Sequence, residues 1–230
     1  AWVLNRNGIL SLGGLNDVIA IVAPHPDDDI LCCSGVIHRN ADNVMVIYVT
    51  DGSKGSPRRD EWGRELALKR MSEAYSALSE LGVKDRSRAL FLGVEDGSVD
   101  KNYAKVRDRL LSLLQKSDVT EIYFPSPLDV HPDHSTTGRV ILSLAGKGLI
   151  GTNKVLYMYI IHKPRRVSTR YLKYLVDLIR LRLTWKSTCM RVDPELKMEA
   201  LRKHESQFPY LNGLKDLASK GYECFYFKKF

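Results

Sequence analysis

The stretch that decides the fold runs from Ile21 to Leu31 and reads IVAPHPDDDIL. A run of small and β-branched apolar residues stops at Pro24, and one histidine and three aspartates follow within five positions. An apolar run bounded in this way is typical of a buried strand in a parallel sheet. Because ligands of open α/β sheets bind beyond the carboxyl ends of such strands, we expect this cluster at a functional edge. The alternative is a plain polar turn between a strand and a helix.

Strand-like and helix-like patterns alternate along the rest of the chain. Strands are predicted at 16–24, 43–52, 88–94, 119–127 and 153–161, and helices at 31–40, 59–82, 103–116, 135–148 and 193–208. This alternation predicts a three-layer α/β fold whose mostly parallel, doubly wound, Rossmann-like sheet carries helices on both faces. With 230 residues, 44% of them hydrophobic, the chain can bury one large core, and we expect residues 1–230 to form a single domain.

Two segments near the end of the chain carry different signals. The segment from Ser168 to Lys186 is ambiguous, because its first half has helical spacing and its second half alternates with period two. The helix at 193–208 is well marked, since Asp193 is a good N-cap and Pro194 suits the first helical position.

The composition limits the cellular context. The first ten residues lack a basic head followed by a long apolar core, and no stretch approaches 18 uninterrupted apolar residues, so a cytoplasmic protein is expected. The cysteines are adjacent or far apart in sequence and do not form C-x-x-C pairs, so we expect reduced, buried thiols at Cys32, Cys33, Cys189 and Cys224.

The net charge of +8 comes from one segment, residues 151–186. This basic segment contains nine lysines or arginines against one acidic residue, Asp177, whereas basic and acidic residues balance elsewhere. A solvated face or an oligomer contact is the favoured interpretation. An anionic substrate, a membrane surface or a nucleic acid are the alternatives.

A second polar cluster follows another predicted strand. The stretch YFPSPLDVHPDHSTTG has a proline stop and then His131, Asp133 and His134 before a helix. A catalytic zinc site uses three protein ligands and keeps a position open for water. His25, one of the three aspartates at 27–29 and one histidine of the second cluster would supply such a set. His38, His162 and His204 lack this company and are expected to be structural or surface groups.

These residues carry a family resemblance. PHPDDD and HPDH resemble the two signatures of the LmbE-like, PIG-L-type zinc-dependent de-N-acetylases, which remove acetyl groups from N-acetylglucosaminyl compounds. Similar motifs extend from residue 18 to 207. VTDGSKG resembles the family's T-x-G-x-x-G loop, and the helix after it has the family's R-x-x-E pattern at Arg70 and Glu73. FLGVEDG resembles a loop that carries an aspartate, and HESQ resembles the family's late H-x-S-Q motif. Pro24 and Asp29 depart from the family pattern, which has alanine and glutamate there.

The resemblance implies roles for eight residues. His25, Asp28 and His134 would bind one zinc ion per chain, and Asp27 would act as general base. His131 would stabilise the oxyanion or donate a proton, held by Asp133 or another carboxylate; for Asp133, helix capping is an equal alternative. Arg70 and Asp96 would contact substrate, although a surface ion pair and a turn carboxylate are the simpler interpretations from the residues alone.

The implied function is zinc-dependent removal of the N-acetyl group from a small N-acetylglucosamine-containing substrate. A metal-dependent phosphoesterase is one alternative, but it usually needs a second metal. A non-catalytic module that binds anions or nucleic acid is the other; no nucleic-acid partner is expected, because RNA-binding and zinc-finger signals are missing. The resemblance also implies a homo-oligomer, since the family often forms trimers or hexamers, but the sequence itself carries no oligomer signal.

Overall fold

A computed structural model of the protein describes residues 2–4, 10–12, 17–116, 118–164, 169–211 and 213–230. Its strands are β1 Trp2–Leu4, β2 Leu10–Leu12, β3 Val18–Ala23, β4 Val44–Thr50, β5 Ala89–Val94, β6 Val119–Pro125, β7 Val155–Tyr159, β8 Lys186–Arg191 and β9 Tyr222–Lys229. Its helices are α1 Asp28–Arg39, α2 Arg64–Glu80, α3 Tyr103–Leu114, α4 Pro132–Gly146, α5 Thr169–Thr184, α6 Pro194–Arg202 and α7 Lys215–Ala218.

The main sheet has seven strands in the order β5-β4-β3-β6-β7-β9-β8. The first five run parallel, and β9 pairs antiparallel with both β7 and β8. The chain winds outward from β3 through β4 to β5, then returns to the other side of β3 with β6. The crevice between the carboxyl ends of β3 and β6 is therefore the switch point where ligands of doubly wound sheets bind.

Alternate residues of the central strands pack on opposite faces of the sheet. Ile21 and Ala23 join the core formed with α1, α2 and α6, whereas Ala20 and Val22 join the core formed with α3 and α4. These strands are covered on both faces, which explains why their sequence is continuously apolar rather than alternating. The predicted mostly parallel α/β fold with helices on both faces is confirmed.

Two helix boundaries differ from the sequence prediction by five residues or more. The helix predicted at 193–208 ends at Arg202. The helix predicted from residue 59 begins at Arg64, because Trp62 is extended and Gly63 has a φ of 131°. The ambiguous segment forms helix α5 up to Thr184, so most of its period-two half is helical and strand β8 begins only at Lys186. Asn16 and Ser168, at the ends of two sequence predictions, lie outside the described residues.

The expectation of four reduced cysteines is wrong for one pair. Cys189 and Cys224 form a disulfide between β8 and β9, where they are directly opposed in the antiparallel register. Their separation of 35 residues hides this pairing from the sequence, because only the sheet brings the two strands together. Cys32 and Cys33 are free and buried in α1, as expected.

In the part of the chain that the structure describes, the helices are all too short or too polar to cross a bilayer.

Candidate metal and catalytic site

The two polar clusters meet at the carboxyl ends of β3 and β6. His25 lies just beyond β3 and Asp28 opens helix α1, while His131 caps helix α4 and His134 lies in its first turn. The turn is tight, since Asp27 adopts a φ of 136°, a region that favours glycine. Backbone strain of this kind clusters at functional sites, because the surrounding structure must hold it in place.

Three side-chain atoms converge in this crevice. His25 Nδ1 lies 3.2 Å from Asp28 Oδ2 and 3.2 Å from His134 Nε2. Asp28 Oδ2 lies 3.1 Å from His134 Nε2. All three residues are buried. The sequence-predicted ligand set is thus brought together as a compact triangle of two imidazole nitrogens and one carboxylate oxygen.

The triangle fits a zinc-sized ion. Tetrahedral zinc with ligand bonds of about 2.0–2.1 Å requires ligand atoms about 3.3–3.4 Å apart, close to the separations found here. Other groups of three ligand atoms lie within 4.8 Å of one another, namely His25 with His131 and His134, Asp28 with His134 and His162, and His25 with Asp96 and Asp133. These sets share members with the triangle, and we favour the triangle because its three separations are uniformly short.

Each histidine of the triangle has a carboxylate at its other ring nitrogen. Asp133 Oδ2 lies 3.2 Å from His25 Nε2, and Asp129 Oδ2 lies 3.3 Å from His134 Nδ1 as an ion-pair contact without hydrogen-bond alignment. Such carboxylates fix the ring orientation of metal-binding histidines and raise their basicity. Sequence reasoning missed Asp129, which also accepts hydrogen bonds from the backbone N–H groups of Ile161 and His162 at 3.0 Å.

The position of Asp133 differs from both sequence interpretations. Its carboxylate accepts hydrogen bonds from the backbone N–H groups of Gly97 at 2.8 Å and Val99 at 3.1 Å, besides contacting His25. The N-cap of α4 is His131, whose Nδ1 accepts a hydrogen bond from the Asp133 backbone N–H. Asp133 therefore orients His25 and ties the loop after β5 to the site, rather than capping the helix or holding the His131 ring.

The electrostatics of the triangle favour a cation. Although burial opposes it, Asp28 and Asp129 raise the pKa of His134 to about 9. Burial likewise opposes charge on His25, yet Asp133, Asp28 and Asp96 raise the pKa of its ring well above the usual value. Burial would raise the pKa of the Asp28 carboxyl, but His134 and His25 hold it well below its usual range. The surrounding carboxylates thus stabilise positive charge where the three atoms converge.

Asp27 has a different environment from Asp28. Burial raises the pKa of Asp27 to about 7, with Arg70 opposing the shift and Asp28 adding to it. Its Oδ1 lies 3.3 Å from Arg70 Nη2, and that guanidinium also donates to the carbonyls of Pro26 at 2.7 Å and Gly52 at 3.1 Å. Asp27 is therefore held beside the triangle as a group poised to exchange a proton near neutral pH.

Arg70 and Asp96 lie together beneath the site. Arg70 is only 2% exposed, and its Nη1 lies 3.9 Å from Asp96 Oδ2. Asp96 Oδ1 lies 3.3 Å from His25 Nε2. A Cβ on Gly55 would lie 2.1 Å from Arg70 Nη1, which explains the glycine at this point of the loop after β4. Both residues thus contact the triangle or its neighbours directly.

The late HESQ motif supports this arrangement from the other side. Ser206 donates to the Glu73 carboxylate through its backbone N–H at 2.8 Å and its hydroxyl at 2.6 Å. His204 is fully buried, and burial followed by the nearby Arg70 lowers the pKa of its ring to about 3. The motif therefore packs α2, and with it Arg70, against the chain that follows α6.

Two further histidines complete the cluster. Burial, together with His25 and His134, lowers the pKa of His131 to about 4, so this ring is neutral at pH 7. Because its Nδ1 accepts the Asp133 N–H, its hydrogen is on Nε2. His162 was expected to be a structural or surface group, but its ring centroid lies 4.9 Å from that of His134. It follows β7, the neighbour of β6, so the strand-end reasoning applied to the first two clusters would have found it.

Comparison with known proteins decides the family. The profile of a family described as PIG-L, GlcNAc-PI de-N-acetylase, matches residues 20–145, which contain both polar clusters. This chain belongs to the PIG-L family. The resemblance inferred from the motifs is thereby confirmed, and with it membership of a family of deacetylases that hydrolyse N-acetyl groups.

One curated relative supports this assignment, and two solved structures support the fold. Diacetylchitobiose deacetylase from Thermococcus kodakarensis is 30% identical over 217 residues, covering 84% of this chain and 72% of its own. The structure of N,N'-diacetylchitobiose deacetylase from Pyrococcus horikoshii, complexed with its inhibitor MPG, superposes with a TM-score of 0.65 at 24% identity, covering 93% of this chain and 84% of that one. A zinc-inhibited form of teicoplanin deacetylase Orf2 superposes with a TM-score of 0.61 at 18% identity, covering 92% and 98%.

Proposed function

We propose that this PIG-L protein is a zinc-dependent hydrolase that removes the acetyl group from a small N-acetylglucosamine-containing substrate, with His25, Asp28 and His134 binding one zinc ion. The observation that carries the proposal is the buried triangle of two imidazole nitrogens and one carboxylate oxygen, with separations of 3.1–3.2 Å. The relatives named for deacetylation of diacetylchitobiose support the substrate class.

When bound, zinc polarises the amide carbonyl and lowers the pKa of an attacking water to about 7. Asp27 takes a proton from that water while the water oxygen bonds to the carbonyl carbon of the acetyl group. The carbon–nitrogen bond then breaks, and Asp27 returns the proton to the departing amine, so that acetic acid and a free amino sugar are formed. A carboxyl whose pKa lies near 7 suits both steps, because it can accept a proton and release it.

His131 acts on the oxygen that gains charge during this attack. As a neutral ring with its hydrogen on Nε2, it donates a hydrogen bond to the developing oxyanion. A preorganised donor of this kind contributes about 3–4 kcal/mol to transition-state stabilisation. The donor is therefore a neutral imidazole N–H and not a charged imidazolium.

Arg70 and Asp96 are proposed as positioning residues. Arg70 holds the Asp27 carboxylate and the turn that carries it, and Asp96 connects Arg70 to His25. Asp96 is 7% exposed and is the more accessible of the two, so it is the better candidate for a contact with a sugar hydroxyl. Asp133 and Asp129 orient the two ligand histidines.

The test combines metal analysis with acetate release. Purified protein is stripped with a chelator, reloaded with zinc or cobalt, and assayed against N,N'-diacetylchitobiose and a panel of other N-acetylglucosaminides. About one equivalent of metal and metal-dependent acetate release from at least one substrate are expected. Protein that binds no metal, or that releases acetate from no member of the panel after reloading, would contradict the proposal.

A further inference from the structure

Helix α5 has two opposite apolar faces. Its inner face, which includes Tyr174 and Leu178, lines a cavity of about 660 Å³ together with Trp185 and residues of β7, β8 and β9. Its outer face exposes four large apolar side chains, with exposed fractions of 69%, 49%, 58% and 81% for Leu172, Val176, Ile179 and Leu183. Their spacing of four, three and four residues aligns them along one line of the helix. The outer face is therefore a continuous apolar stripe that packs against no described core.

Cations flank this stripe. Lys173 and Arg180 follow the stripe on one side, with side chains 82% and 74% exposed. Arg182 follows it on the other side, but its Nε donates to the Tyr226 hydroxyl of β9 at 3.3 Å. The single acidic residue of the helix, Asp177, is paired with Lys173 at 2.7 Å and Arg180 at 3.5 Å, so it offers little to a basic partner. The basic segment that contains α5 accounts for the whole net charge of the chain.

We propose that the outer face of α5 binds the surface of an anionic lipid bilayer. An exposed apolar stripe bordered by lysine and arginine lies in the plane of a membrane interface, with the apolar side chains buried and the cations at the headgroups. Each cation near an anionic surface strengthens binding by about fivefold. Helix α5 carries four of the nine cations of the basic segment together with the apolar stripe, so one planar surface can contact both.

A second copy of the chain fits this face less well. A symmetric contact through α5 would bring its own cations close to those of its partner, and like charges facing each other weaken association. Charge complementarity therefore favours the lipid surface.

Vesicle cosedimentation tests the proposal independently of the deacetylase reaction. Wild-type protein is mixed at low salt with vesicles of phosphatidylcholine alone or with one third phosphatidylglycerol. We expect binding to the anionic vesicles, weaker binding to the neutral ones, and a large loss at 1 M salt. Absence of binding to anionic vesicles at low salt would overturn the proposal.

Two variants identify the helix. The double variant Leu172→Ser, Leu183→Ser should weaken binding to anionic vesicles by about tenfold or more, whereas Leu68→Ser, which alters a leucine 53% exposed on α2, should not. Lys173→Gln with Arg180→Gln should weaken binding by about 25-fold, whereas Lys84→Gln with Lys105→Gln, two exposed lysines elsewhere, should have a much smaller effect.

Light scattering and thermal unfolding complete the design. All four variants alter exposed positions, so their melting temperatures should match the wild type; if the leucine variant unfolds, the charge variant and its control decide. Equal losses of vesicle binding in the test and control variants would show that α5 does not contact the membrane. The other contrary outcome is wild-type protein that binds no vesicles and forms a dimer in light scattering. If the double variant Leu172→Ser, Leu183→Ser dissociates that dimer, the face binds a second copy of the chain.

Discussion

The division of labour between Asp27 and Asp28 is the sharpest prediction of the site. Asp28 Oδ2 belongs to the triangle and also accepts the His25 backbone N–H at 2.8 Å, whereas Asp27 contacts Arg70 and the triangle only through charge. Asp27→Asn should therefore leave zinc binding nearly unchanged and lower kcat by about 10²- to 10⁴-fold, the usual contribution of a general base. This loss corresponds to about 3–5 kcal/mol in the activation free energy.

The structure indicates that Asp27→Asn will fold. Asparagine has the same shape and, like aspartate, tolerates positive φ better than other side chains. Arg70 keeps the carbonyls of Pro26 and Gly52 as acceptors when the Asp27 charge is removed. Asp28→Asn, in contrast, removes the only negative charge of the triangle, so zinc affinity should fall first and activity should recover in part at high zinc concentration.

The measurement is metal content after gel filtration, followed by acetate release at several zinc concentrations. Arg107→Gln, an exposed change on α3, serves as the control for handling losses. If Asp27→Asn loses zinc while Asp28→Asn retains it, the two roles have been assigned in reverse. If Asp27→Asn retains both zinc and full kcat, the water is activated by another group.

Three further predictions concern positioning and stability. Asp133→Asn should weaken zinc binding by about 10- to 100-fold in a competition titration, because it removes the carboxylate behind His25; unchanged affinity would mean that the contact is incidental. Burial lowers the pKa of His204 to about 3 in the folded state, whereas the same ring in the unfolded chain has its ordinary pKa of 6.5. Because only the unfolded chain then binds a proton between these values, the free energy of unfolding should fall as pH drops below 6.5, by about 2 kcal/mol at pH 5 for this residue alone. Urea unfolding at pH 7 and pH 5 should show that His204→Gln reduces this loss, and an identical pH dependence in both proteins would contradict it. Lys197 Nζ lies 2.8 Å from Glu223 Oε1, and both side chains are buried. Lys197→Met should therefore lower the free energy of unfolding in urea by about 3–5 kcal/mol, because the Glu223 charge stays buried without its partner. Lys173→Met, at an exposed pair, should lower it by less than about 1 kcal/mol, and similar losses in both variants would show that burial does not determine the contribution of these pairs.

The parallel part of the fold could be predicted because its signals are local. Each buried strand is a short apolar run, and each of the helices between these strands has its own apolar periodicity. The antiparallel edge could not, since the pairing of β9 with β7 and β8 reverses the chain direction after a segment of mixed periodicity. The disulfide between Cys189 and Cys224 depends on that reversal and was missed with it.

The candidate ligands could be predicted because they occur as clusters at strand ends, but their partners could not. Asp129 reads as an ordinary loop aspartate, and its contact with His134 depends on a turn in which the carboxylate also accepts the His131 backbone N–H. Asp133 sits in a motif that suggested a partner for His131, its neighbour in sequence. Its actual partner, His25, comes from the other strand of the switch point.

The electrostatic balance gives a physical reason for these cross-strand contacts. A metal site needs neutral, well-oriented imidazoles, and a carboxylate beside the second ring nitrogen, Asp133 for His25 and Asp129 for His134, favours one orientation of each ring. The surrounding carboxylates also favour protons on the rings: although burial opposes it, Asp28 and Asp129 raise the pKa of His134 to about 9. A divalent cation held by His25, Asp28 and His134 would replace those protons, and Asp129 and Asp133 would stabilise its positive charge. The site is thus organised around a cation before any substrate binds, and Asp27, whose pKa burial raises instead, is left as the neighbouring carboxyl suited to moving a proton.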